Sequence, residues 1–286
     1  MWRKNWKAWL YVTPLMLVLI PFFVLPILVV LVASVFETDG FGGLIPTFTL
    51  SNYGSVLTSG LTFNLYFETI KFTILTWFFT LLIGFFVAYF LVFHVRNPLL
   101  AIGLFLICTV PFWTSNIIRM ISWIPLLGKE GLINSALLRI GLIREPLEFL
   151  LYSGFAFVVA YVHQLTIFMI VPIFNSMARI DKRVVEAAID AGASRFDIMR
   201  LIIVPLSKSG IALGSIFVAS IVMGDFFVTK VMSGGGSASV VGAFYEDISV
   251  LQYPTAAASA IVLTVVLLAT VFLILRTVDI RKEITR

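Results

Sequence analysis

Apolar residues run in long unbroken blocks along this chain, and polar residues gather in short clusters between them. Crossing the ~30 Å hydrocarbon core of a bilayer takes about 20 apolar residues of helix. Six blocks meet that length. Tyr11–Phe36, Phe72–Phe93, Leu99–Ile118, Phe149–Ala178 and Pro254–Leu275 carry no charge, and Ser209–Thr229 carries one, Asp225. The pattern predicts an all-α integral membrane protein with six spans over residues 11–276 and short polar ends at 1–10 and 277–286. The first block follows the basic MWRKNWK and contains LVAS, so it imitates a secretory leader. Its 26 residues exceed the ~7–15 of a leader's apolar region, and an uncleaved first span is the expectation.

Composition agrees. The chain is 60% hydrophobic and 12% charged, with mean hydropathy +1.06. Soluble domains sit near 45–50% apolar and ~25% charged, so the surplus is too large for a core and calls for lipid as solvent. The single cysteine, Cys108, lies inside an apolar block, which excludes an intrachain disulfide.

Charge orients the spans. With the N-terminus inside, fourteen Lys and Arg fall on the cytoplasmic side and six outside, which favours both termini in the cytoplasm. The segment from Glu37 to Phe67 has no Lys or Arg and suits the outside. The segment from Arg119 to Glu148 has four, and its GLINSALLRIGLI shows helical spacing, which predicts a helix at the membrane surface.

This orientation leaves the polar island Arg179–Lys208 in the cytoplasm. Its stretch VVEAAIDAGASRFDIMRLIIVPLSKSG reads as two short helices. Asp181 is placed to cap the first, and Gly192 to end it in a left-handed turn. Ser194 and Asp197 form an S-x-x-D capping box for the second, and Pro205 closes it. Ala187, Ala188 and Ala191 keep the first helix slim, while Val184, Val185 and Ile189 give it apolar contact and Glu186 and Asp190 share a face. Such a surface suits a groove on a soluble partner; a connector lying on the membrane surface is the other reading. A DNA-binding helix pair is excluded by charge, because Arg179–Arg200 holds five basic and four acidic residues.

The island also resembles a known family. Glu186, Ala187, Ala188, Gly192, Ile202 and Pro205 match the EAA–G–I-x-hydrophobic-P loop of binding-protein-dependent ABC importer permeases, with Val204 where leucine is usual. PFWTSNIIRMISWIPLLGKEGLIN, from Pro111 to Asn134, and MGDFFVTKVMSGGG, from Met223 to Gly236, resemble segments of spermidine/putrescine-type permeases. Ile121 and Ser122 stand where those often carry Tyr-Ala before the Trp. The resemblance implies the type I ABC importer permease fold in a bacterial inner membrane. It implies ATPase subunits docking on a coupling helix, through Val185, Glu186, Ala187, Ala188, Asp190, Gly192, Ala193, Ser194 and Arg195. It further implies a second permease subunit and an extracytoplasmic substrate-binding protein. This chain would then hold no cofactor, ATP and magnesium belonging to the partner ATPase, and would be no enzyme itself. Nucleic acid is not an expected partner.

Polar residues inside or beside the blocks are candidates for a substrate path: Asp225, Trp123, Arg119 and Glu68. An acid at mid-bilayer costs ~2.5–3.5 kcal/mol on insertion scales and usually faces a cavity or a partner charge. Asp225 fits that reading, and equally a wet position at the outer end of its span or a pair with Lys230. Glu68 has Lys71 three residues on to neutralise it. Arg119, at the outer end of the third block, is explained by snorkelling to the interface. His163 and Gln164 suit a polar contact between helices. Gly210 and Gly214 form a G-x-x-x-G, and Ala256–Ala260 a small-residue patch, which suit either a second permease subunit or packing within the chain.

Other functions are weaker. SGGGSAS, Ser233–Ser239, lacks the G-K-[ST] of a phosphate loop, and the sequence has neither H-E-x-x-H nor a nucleophile elbow. A self-sufficient secondary transporter or channel calls for more intramembrane ionisable residues. The expected function is transport of a small organic solute, with a polyamine-like cation favoured by Asp225 and the resemblance.

Overall fold

The computed structural model describes residues 6–232 and 239–277, which form two compact units. The Gly-rich loop, except Ser239, and the C-terminal segment beyond Thr277 lie outside the described residues.

One unit comprises residues up to Asn64 together with Val240–Val266. Its first helix begins at Trp6, earlier than the predicted Tyr11, and continues to Ala33. Between Ile20 and Val24 it winds as a π-turn, with Leu25 N–H bonding Ile20 O. Pro21 has no N–H to donate and its ring crowds the carbonyl four residues back, so the backbone takes a wider turn there. From Tyr11 to Ala33 none of its residues is buried among the described residues. A two-residue hairpin follows, Glu37–Thr38 paired antiparallel with Leu44–Ile45. Asn52 ties the next helix, Ser51–Thr58, to the end of span one by donating to Ser34 O at 3.0 Å and Phe36 O at 2.9 Å. In the same unit Ala256, Ala257, Ala258 and Ser259 are buried, so the small-residue patch packs inside the chain.

The second unit, Leu65–Ser239 with the end of span six, carries the candidate site. Span two is the helix Gly60–Phe93, starting twelve residues before the predicted Phe72, so Glu68 lies within it. Span three, Pro98–Trp113, breaks at Thr114–Ser115, and the chain continues as Asn116–Arg139 at 91° to it. Span four is Gly154–Met177 and span five Lys208–Gly224. The sixth, Tyr253–Arg276, matches its predicted block within two residues.

Spans four and five pack closely because glycine lets them. A Cβ at Gly210 would collide with the Pro172 carbonyl and with Ser176. One at Gly214 would strike Met169 and stand 3.3 Å from Phe168 O, the carbonyl that Pro172, lacking an N–H, cannot bond. Gly84 of span two meets the same Met169, which is fully buried, so three helices converge on one flexible side chain. Ser176 and Ser209 hydroxyls, 3.1 Å apart, join the end of span four to the start of span five. The G-x-x-x-G therefore serves packing within the chain.

Candidate functional site

Two features of the second unit stand out from its apolar helices. The first is the polar island. Asp181 accepts from Arg183 N–H at 3.0 Å and opens the helix Lys182–Asp190. Gly192 follows at φ +82°, a left-handed conformation that costs an L side chain ~1–2 kcal/mol. Ser194 opens the next helix, and the predicted capping box is complete: Asp197 N–H donates to Ser194 Oγ at 3.2 Å, and Ser194 N–H donates to Asp197 Oδ2 at 3.3 Å. That helix ends within one residue of the predicted Pro205. It runs Arg195–Leu206 with a π-turn at Met199–Ile203, and meets span five at 67° just past Pro205.

The first helix of the pair has two faces. Val185 and Ala188, three residues apart, are half-buried and pack against the core, joined by Ala193. Glu186, Ala187, Asp190, Ser194 and Arg195 are exposed. Val184, Ile189 and Phe196 are also exposed, at 46%, 57% and 61%, so the outward surface mixes apolar anchors with charge. The pair therefore has caps supplied by its own residues and apolar side chains left exposed among the described residues.

The second feature is an elbow where span three ends. Arg119 is 6% exposed, which corrects the snorkelling expectation. The 91° bend after Trp113 turns the short helix Asn116–Ile121 onto span four. Its guanidinium donates to the Asn116 side chain and to Gln164 O at 3.5 Å, while its Nε has no partner. One turn on, Trp123 Nε1 donates to His163 Nδ1 at 3.2 Å. Asn134, fully buried, holds the following loop by bonding Gly128 O at 3.0 Å and both backbone groups of Leu147 at 3.2 and 2.8 Å.

Arg119, Trp123 and His163 together line one end of a largely apolar cavity of about 620 Å³, whose other walls include Phe79, Cys108 and Val159. That volume is ordinary for a small-molecule site, ~300–1,000 Å³. The polar contact expected of His163 is made, with Trp123 as its partner, whereas Gln164 contributes its backbone carbonyl to Arg119.

Asp225 does not line this cavity. Span five ends at Gly224, one residue short of it, and Asp225 stands half-buried in the break before the helix Phe227–Met232. Its carboxylate accepts from Val228 N–H at 2.9 Å, as a helix cap. The buried Tyr161 hydroxyl faces Asp225 and Thr229 without a well-aligned bond to either. Glu68 is paired with Lys71 and joins neither feature. Among the described residues no three His, Cys, Asp or Glu side chains converge as a metal site.

Comparison with known proteins bears on both features. The model of the binding-protein-dependent transport system inner membrane component family matches residues 80–282, a range that includes the island and the elbow. The spermidine/putrescine transport system permease protein PotB of Escherichia coli (strain K12) is 32% identical over 253 residues, covering 87% of this chain and 90% of that protein. PotB of Haemophilus influenzae is 30% identical over 262 residues, covering 90% and 89%. Among solved structures, a bacterial ABC transporter that imports the acidic polysaccharide alginate superposes with TM-score 0.76 over 96% of each chain, at 15% identity, which speaks for the fold alone.

Proposed function

The chain belongs to the binding-protein-dependent transport system inner membrane components, and on that premise we propose that it forms half of a translocation pathway for a small polyamine-like cation. As a member it is a permease subunit of an ATP-driven importer in the inner membrane, working with ATPase subunits, a second permease and an external binding protein. The cargo reading is supported by the chain-long likeness to permeases named for spermidine and putrescine.

The observation that carries the mechanism is the helix pair Lys182–Asp190 and Arg195–Leu206. In this reading the ATPase receives Val184 and Ile189 in an apolar cleft, and Glu186 and Asp190 meet charge at its rim. ATP and magnesium bind on that partner. The positive-φ turn at Gly192 and the capping box at Ser194 hold the two helices at a fixed angle, so a push on the first is passed through Arg195–Leu206 to span five. Span five shares its glycine seam with span four, so both tilt as a unit. Asp225, at the far end of span five, then offers a carboxylate to a passing ammonium group.

Two measurements test this. Uptake of labelled spermidine by cells carrying the whole importer should fall when Glu186→Lys or Gly192→Val is introduced, with ATPase co-purification falling in parallel. If both survive, the coupling role is wrong. A thermal-shift screen of the cognate binding protein should show stabilisation by polyamines; stabilisation by anions or sugars alone would remove the polyamine cargo and leave the permease role standing.

A further inference from the structure

The inner half of span five forms one wall of a groove of about 470 Å³, shared with span two and the last turns of span six. Ile74, Trp77, Ile211, Leu273 and Ile274 make it apolar. The polar groups in its walls look after themselves: Trp77 Nε1 donates to Ser215 Oγ at 2.7 Å, and Thr73 bonds Thr69 O of its own helix at 2.7 Å. Among the described residues lining it, the charged one is Lys208, the first residue of span five. Thr277, which follows the last residue of span six, lines it too. The Thr277 hydroxyl donates to Ile274 O at 2.6 Å, so the charge of Lys208 marks the groove's end and the helix bodies make its apolar wall.

Length agrees with a leaflet. Lys208 and Ala219 both line the groove, eleven residues apart on one helix, or about 16 Å at 1.5 Å per residue. Half of the ~30 Å hydrocarbon core is about 15 Å. A second groove of about 330 Å³, on a different face of the same helix start, carries Arg179 with Asn175, Ser176 and Ser209. Neither Lys208 nor Arg179 has an acidic partner within ion-pair distance among the described residues.

We propose that this groove seats an acyl chain of an anionic phospholipid of the inner leaflet, with the lipid phosphate at Lys208. The proposal rests on the cytoplasmic position of the helix pair that leads into Lys208. A zwitterionic lipid brings its own cation to Lys208 and gains less. A polyamine is repelled there. An apolar helix of a partner has no use for a charge at the groove's end.

The purified full chain, stripped of lipid and titrated with dioleoyl-phosphatidylglycerol or dioleoyl-phosphatidylcholine, gives the test by native mass spectrometry. The wild-type chain should retain phosphatidylglycerol about fivefold over phosphatidylcholine, the effect of one basic residue at an anionic surface. Lys208→Gln, at an exposed position, should bring that ratio close to one, and Ile274→Trp, which fills the groove, should lower retention of both lipids. Equal retention by the wild type, or a preference that survives Lys208→Gln, overturns the proposal. So does a cross-link from Ile274→Cys to the second permease in the assembled importer, which would make the occupant protein. The orientation is read separately with an impermeant thiol reagent on Glu186→Cys in a Cys108→Ser chain. Labelling only in inside-out vesicles supports the inner leaflet; labelling in intact spheroplasts overturns that leaflet assignment, whatever the lipid ratio.

Discussion

The helix pair at residues 182–206 and the elbow at 110–128 both interrupt apolar sequence with charge, yet they handle it in opposite ways. In the pair, capping bonds join residues two or three apart, Asp181 to Arg183 and Ser194 to Asp197, and the charged side chains stay in water. In the elbow, beside the local bond from Arg119 to Asn116, bonds reach residues far along the chain: Arg119 to Gln164 across 45 positions and Trp123 to His163 across 40. A locally completed motif keeps its shape with one face open, which is what a docking element needs. A motif completed by distant residues has its shape only while the helices around it are packed, which suits the wall of a pathway. Substitutions in the two regions should therefore fail differently, one losing coupling and the other losing the bundle.

The largest effect belongs to the elbow. Arg119→Ala removes hydrogen bonds from a buried charged group, each worth ~1.5–3 kcal/mol, and leaves Asn116 and Gln164 O without that donor. A loss of about 3 kcal/mol, or roughly 6–12 °C in the apparent melting temperature of the detergent-purified chain, is expected. A snorkelling arginine would move it by less than about 0.5 kcal/mol, and that outcome would erase the contrast between the regions. Arg119→Lys keeps the charge but not the planar fork, and should recover less than half of the loss.

Gly192→Val comes next. A β-branched residue at φ +82° costs upward of ~1–2 kcal/mol, but only inside the pair. Uptake and ATPase retention should drop about tenfold while the melting temperature of the bundle holds. A fall in melting temperature equal to that of Arg119→Ala would show that the pair is not independent. Ser194→Ala should cost about 1 kcal/mol, seen as a several-fold loss of uptake, with Ser194→Asp restoring most of it.

The same division explains what the sequence could reveal. Span existence, Asp181, Gly192 and the Ser194–Asp197 box follow from apolar run length and cap chemistry, both of which act along contiguous stretches of chain. Span two's early start at Gly60 escaped because Thr62–Lys71 mixes polar residues that a helix tolerates in contact with protein but a hydropathy block excludes. The bend at Thr114–Ser115 escaped for a different reason. Asn116, three residues away, gives Arg119 a partner but no direction; its contact with Gln164 O on span four exists only after the chain has turned. The G-x-x-x-G was visible, but which helix it meets is a tertiary fact, settled by Met169, Pro172 and Ser176.

Asp225 sits between the two modes, and the smallest predicted effect turns on it. Its cap to Val228 N–H is local, as in the pair, while Tyr161 faces it from span four, as in the elbow. Asp225→Asn keeps an oxygen that can accept from Val228, and asparagine caps helices about as well as aspartate, so stability should change by only a few tenths of a kcal/mol. What the substitution removes is charge. If the carboxylate meets a passing ammonium group, spermidine uptake should fall about threefold with the melting temperature unchanged. Asp225→Ala, which also loses the cap, should add about 1 kcal/mol of destabilisation to the same uptake defect. Equal uptake by the wild type and Asp225→Asn, beside a defect in Asp225→Ala, would leave Asp225 as a helix cap alone and move the search for the cation's contacts to the second permease.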